Sequence, residues 1–167
     1  KPLFKNVIWA VDAYPENTLI HERVGTYLKG LEKHQKFQVH PVYVLSPGEI
    51  QSVAATLDAQ WFKSLEQNAR KSLDKVLKKT RFSQLAAPTV LLNPVTAIRE
   101  SVRILVEHAK KIQADLIVVG THGRKGFSRM FLGSFAETLL LHSNVPVLIL
   151  NPKEKTPPKI TQILFPT

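Results

Sequence analysis

Five short apolar runs mark the chain, with longer amphipathic stretches between them. Val7-Ile8-Trp9-Ala10-Val11 is continuous and ends at Asp12, the pattern of a strand buried on both faces. Further runs span Phe37 to Leu45, Thr89 to Leu92, Leu116 to Val119 and Val145 to Leu150. Helices are expected over Leu19 to Leu31, Ala54 to Lys79, Val95 to Lys111 and Gly133 to His142. The third is the most regular. Val95, Ile98, Val102, Leu105, Val106, Ala109 and Ile112 follow helical spacing, and Asn93-Pro94 offers a capping residue before a first-turn proline. Four βα units and a closing strand predict a doubly wound α/β fold, a five-stranded parallel sheet with helices on both faces. Pro146 suits the first residue of an edge strand. Pro41 inside the second run predicts a bulge there, or a strand that begins only at Val42.

At 167 residues, 44% hydrophobic and 22% charged, the composition is globular. No run reaches the roughly 18 apolar residues of a membrane span, and the Lys1-Pro2-Leu3-Phe4-Lys5 start lacks the apolar core of a signal peptide. A cytoplasmic chain without a membrane partner is the resulting expectation. The absence of cysteine excludes disulfides, thiolate catalysis and Cys-ligated zinc. The formal charge of +10 points to anionic partners.

Four of the seven glycines, Gly120, Gly123, Gly126 and Gly133, fall within fourteen residues. Their segment follows the fourth strand, whose C-terminal end is where open parallel sheets bind ligands. Glycines let successive amides point at an anion, Gly133-Ser134 would present free N–H groups at a helix start, and Arg124, Lys125 and Arg129 add positive charge. A plainer reading keeps Gly120 as a strand end and makes Ser134 an N-cap, with Glu137 completing a capping box.

The spacing G-x2-G-x9-G-S at Gly120, Gly123, Gly133 and Ser134 resembles the nucleotide motif of the universal stress protein family, in its UspA-like, ATP-binding form. The flanks Ala114 to Gly120 and Asn144 to Ile149 are similar too, and the resemblance covers roughly residues 3–151. It implies the Rossmann-like fold of the adenine nucleotide α-hydrolase-like proteins, strand order 3-2-1-4-5, with ATP, and Mg2+ beside it, across the ends of the first and fourth strands. Position by position, it places Asp12 beside adenine and ribose and Ala10 and Val11 along the same pocket. Val44 falls near the base, and Val119 and Gly120 border base and ribose. Gly123, Gly133, Ser134 and the Phe135 amide would hold phosphates, and His122 and Arg124 match a frequent histidine and basic residue. Tyr14 stands where many members have a hydroxyl residue two positions after the aspartate.

No G-x-x-x-x-G-K-[ST], H-E-x-x-H or G-x-S-x-G motif occurs, and His21, His34, His40, His108 and His142 lack metal-ligand spacing. Charge-assisted hydrogen bonds contribute about 1.5–3 kcal/mol each, so a few phosphate contacts and a buried base reach the roughly 8 kcal/mol of micromolar affinity. The reading is therefore a nucleotide-dependent regulator of stress response with little or no catalysis. Its alternatives are an interaction domain with a vestigial site, or a slow hydrolase using Asp12 and magnesium.

From Lys63 to Arg81, seven basic residues accompany Glu66 and Asp74, a balance of +5. The sequence assigns them to a solvated face rather than a nucleic-acid surface, because no aromatic residues are interleaved for base stacking. Residues 152–167 read as a linker and the first strand of a truncated second repeat, since Gln162 to Thr167 aligns with Asn6 to Val11. Pairing is expected through the fifth strand, either as a homodimer or with a second such domain.

Overall fold

A computed structural model describes residues 3–11, 18–46, 59–95, 97–121 and 133–151, without the side chains of residues 18, 59, 61 and 62. The elements run β1 (Asn6–Ala10), α1 (Thr18–Glu32), β2 (Gln38–Leu45), α2 (Ala59–Lys78), β3 (Thr89–Leu92), α3 (Ile98–Lys111), β4 (Leu116–Gly120), α4 (Ser134–His142) and β5 (Val147–Leu150). All strand pairings are parallel, in the order β3-β2-β1-β4-β5.

Two cores follow from the period-two alternation of strand side chains. On one face Val7, Trp9, Val39, Tyr43 and Val118 meet Ile20, Val24 and Leu28 of α1 and Leu73 and Leu77 of α2. On the other, Ile8, Val42, Ile117 and Val119 meet Val102, Leu105 and Ala109 of α3 and Leu139 of α4. Runs apolar at every position are therefore required, because each successive residue enters a different core.

Two expectations are corrected. The strand β2 runs without a bulge through Pro41, which pairs with Trp9 in unbroken register. Odd-numbered β2 residues direct their amides toward β3, as the bonds from Val39 N to Gln84 O and from Asn93 N to Leu45 O show. On that side the partner chain carries the irregularity. Val39 pairs with Leu85 and Tyr43 with Val90, so the β3 side takes five steps where β2 takes four. The nitrogen of Pro41 faces this detour and forgoes no ladder bond.

The helix expected from Val95 starts at Ile98, with Ala97 as N-cap and no side-chain cap. Asn93 is fully buried and acts as a loop staple instead. Its Oδ1 accepts from Val95 N at 2.9 Å, and its Nδ2 donates to Ala97 O at 3.2 Å and to Ser101 Oγ at 2.8 Å. The other helices and strands lie within a few residues of their expected bounds, except that the expected start of the second helix at Ala54 lies outside the described residues, and Pro146 directly precedes the edge strand β5. Residues 152–167, with the expected linker and second-repeat strand, lie outside the described residues.

Candidate functional site

The strand order reverses between β1 and β4. From β1 the chain moves outward to β2 and β3, then crosses back to β4 on the other side of β1. Strands that diverge to opposite sides leave a crevice at their C-terminal ends, where α/β sheets take ligands. Ala10 pairs with Val42 and with Val119 across it. Val11 continues past the strand by donating its N–H to Val42 O at 2.9 Å.

The sequence-selected residues divide between the two faces. Ala10, Val44 and Phe135 are half-buried against the α3–α4 core, which includes Val119. Together they make an apolar wall at the C-terminal end of the sheet. The Val11 side chain points the other way, into the α1–α2 core, so toward the crevice it offers backbone alone. Gly120 also turns to the α1 side. A Cβ there would lie 2.1 Å from Ile20 Cγ2, so the absence of a side chain is what lets α1 seat on β4.

The start of α4 is the polar part of the site. Gly133 is the N-cap, with φ 76° and ψ 143°, a conformation that L side chains rarely adopt. The capping box is not formed: Ser134 is the first helical residue and the cap carries no side-chain hydrogen bond. The first helical bond runs from Glu137 N to Gly133 O at 3.0 Å. This leaves the amides of Ser134, Phe135 and Ala136 without intrahelical acceptors, at the positive end of the helix dipole. A Cβ on Gly133 would meet nothing within 4 Å among the described residues. The Thr138 hydroxyl is occupied, donating to Ser134 O at 2.7 Å.

Asp12, His122, Gly123 and Arg124 lie outside the described residues. Thr121 was not singled out by sequence, although it directly follows the strand that opens the glycine segment. It is buried at the crevice, donating its N–H to Leu150 O at 2.9 Å. Among the described residues no group of three His, Cys, Asp or Glu side chains could hold a metal ion, and no helix is long and apolar enough to cross a membrane.

The universal stress protein family model matches residues 3–151. The chain belongs to the universal stress protein family. Over 121 residues it is 31% identical to universal stress protein MJ0531 of Methanocaldococcus jannaschii, covering 71% of this chain and 67% of that one. It spans less of other curated relatives: 16% of a universal stress protein of Mycolicibacterium smegmatis and 28% of the stress response protein NhaX of Bacillus subtilis. Among solved structures, the protein MJ0577, subject of a structure-based assignment of biochemical function, superposes with TM-score 0.66 at 21% identity, over 92% of this chain and 100% of that one. A universal stress protein in complex with cAMP superposes with TM-score 0.55 at 19% identity, over 90% and 98% of the two chains. At these identities the structural likeness carries the universal stress fold and its strand order.

Proposed function

We propose that this universal stress domain binds ATP and acts as a nucleotide-dependent regulator with little or no turnover. The start of α4 carries the reading: three amides without intrahelical acceptors and a positive-φ glycine whose Cβ position meets none of the described residues, set where a parallel sheet presents ligands. Backbone donors at a helix N-terminus suit phosphate. The apolar wall of Ala10, Val44 and Val119 suits a base, and the backbone at Val11 could read its edge. A related fold in complex with cAMP supports the adenine-nucleotide class. The phosphates would fall to Gly133, Ser134 and Phe135, joined by Gly123, His122 and Arg124 of the loop, while Asp12 would take the ribose. Bound ATP would supply charge for these amides to neutralise, with Mg2+ sharing that task.

Pairing through β5 belongs to the same reading, either as a homodimer or with a second universal stress domain. The strand is an edge of the sheet, and Leu140 and Leu141 on the neighbouring α4 are exposed.

Thermal denaturation with and without ATP and magnesium tests the nucleotide site. At a ligand concentration about 100 times Kd, binding adds about 2.7 kcal/mol, several degrees in Tm for a chain of this size. Gly133→Arg puts bulk at the cap and Ser134→Glu puts negative charge at the amides, so either should abolish the shift. An unmutated protein whose Tm is indifferent to ATP, ADP and cAMP would rule the reading out. Phosphate release well above background and lost in Asp12→Asn would replace the regulator with a hydrolase.

A further inference from the structure

The basic run seen in the sequence lies along one outward line of α2. Lys71, Lys75 and Lys78 follow i, i+4, i+7 spacing, continuing Ser64 and Gln67 on the same stripe, with Lys63 and Lys79 on its flanks and Arg81 just beyond the helix. All are exposed, and the buried stripe of Ala69, Leu73, Val76 and Leu77 lies opposite. From Lys63 to Arg81 no large apolar side chain is exposed. Just beyond α2 the chain packs on α1: a Cβ on Gly25 would lie 3.0 Å from Thr80 Cγ2, and Glu32 Oε1 accepts from Ser83 N and Oγ.

The exposed faces of α2 and α3 treat charge differently. On α3, Arg103 is clamped by Glu100 and Glu107. On α2, Arg70 pairs with Glu66 and donates to Pro88 O at 3.0 Å. Lys63, Lys71, Lys75, Lys78, Lys79 and Arg81 make no ion pair among the described residues. Like charges at i, i+4, such as Lys71 with Lys75 and Lys75 with Lys79, oppose helix formation. The helix dipole compensates only in the last turn, which excludes Lys63 and Lys71. Water alone would be served as well by the alternating signs of α3.

We infer that the outward face of α2 is a docking surface for the phosphate backbone of a double-stranded nucleic acid. Lys63 to Lys79 spans sixteen residue rises, about 24 Å at 1.5 Å each, or roughly seven base pairs at 3.4 Å. Single strands are held by stacking on aromatic platforms, which the stripe does not offer. A duplex keeps its bases inside, so flexible point charges on a ridge suffice. An anionic bilayer fits less well, because peripheral membrane attachment takes an apolar or lipid element beside the basic patch, and from Lys63 to Arg81 no large apolar side chain is exposed. The surface is separate from the nucleotide crevice. Crossover helices run against their strands, so Lys75 to Arg81 lie toward the N-terminal ends of the strands.

The test is fluorescence anisotropy of a labelled 20-base-pair DNA duplex between 50 and 200 mM salt, with ATP and magnesium in excess so that the crevice cannot report the duplex. Affinity should fall with salt, log K losing about 0.9 per log unit of salt for each phosphate neutralised. The triple variant Lys71→Gln, Lys75→Gln, Lys78→Gln should weaken binding about tenfold or more at 50 mM salt and flatten the slope by about 2 to 3, with Tm unchanged or raised. Asp74→Lys on the same face should tighten binding, a gain that misfolding cannot mimic. The inference is overturned by no duplex binding at 50 mM salt, by a slope the triple variant leaves unchanged, or by tighter attachment to phosphatidylserine vesicles than to the duplex, which would make the partner a lipid surface.

Discussion

Gly120 shows how a single residue can carry a packing requirement that its motif does not announce. Its place in a glycine motif suggests contact with a ligand, yet the missing side chain faces Ile20 of α1, where a Cβ would lie 2.1 Å from Cγ2. The motif spacing was legible because glycines are conspicuous in a chain with so few. The packing role of this one was not, because Ile20 lies a hundred residues away. Gly120→Ala should cost about 1–3 kcal/mol by overpacking. In the Ile20→Ala background the added methyl has room, so a double-mutant cycle by urea denaturation should return a coupling of about 1 kcal/mol or more. Additive effects would mean that the two positions do not touch. Tyr27 tests the opposite kind of fault. It is buried with a hydroxyl that finds no hydrogen-bond partner among the described residues, and burial raises its pKa. A stranded donor costs about 1–3 kcal/mol, so Tyr27→Phe should stabilise the protein by about 1 kcal/mol. A loss of stability in the same urea experiment would reveal a partner for the hydroxyl.

At the scale of the element, the strands were legible because burial on both faces requires uninterrupted apolar runs, a signal that needs no partner. Helix starts were harder to read. Asn93-Pro94 looks like a cap, and Asn93 does use its side chain on backbone groups, but to hold the turn between β3 and α3 rather than to begin the helix. The difference lies in the hydroxyl of Ser101, a turn inside the helix, to which Asn93 Nδ2 donates at 2.8 Å; sequence spacing does not reveal it. Asn93→Ala should cost about 2 kcal/mol, since it strands the Val95 amide and a buried hydroxyl together. Asn93→Asp keeps the acceptor for Val95 but loses both donors, so it should rescue only part of that loss. Equal stability of Asn93→Ala and the unmutated protein would remove the staple from the account. At α4 the sequence offered Ser134 as the cap, and the cap is Gly133. One residue of difference moves the hydroxyl from satisfying the helix to standing beside amides that have no intrahelical acceptor.

For the whole molecule, two-sided burial and crossover handedness fixed the layers, while the strand order came from the family resemblance. Long-range polar contacts left no trace in the pattern. His40 on β2 lies within 3.2 Å (Nε2) of Asn6 Oδ1 on β1, and Asn6 Nδ2 in turn donates to Ile112 O at 3.2 Å, beyond α3. His108 of α3 faces the same region. Burial holds both histidines below their ordinary range, and His40 and Lys111 depress His108 further. Because the folded pKa values are depressed, the unfolded chain takes up protons first as pH falls through about 6.5. Stability is therefore complete above that value and declines until the folded pKa values are passed. Tm should drop between pH 7.5 and 5.5, and His108→Gln should shallow the drop; a Tm that rises on acidification would reverse the assignment. A last consequence attaches to Pro41, whose nitrogen faces the detour on the β3 side. Parallel strands that slip by two residues keep every side chain on its proper face, so hydrophobic patterning does not penalise that error. Here such a slip of β3 would bring a carbonyl against the one backbone nitrogen in β2 with no hydrogen to give. The proline thus costs the native register no ladder bond, while the slipped register would lose one.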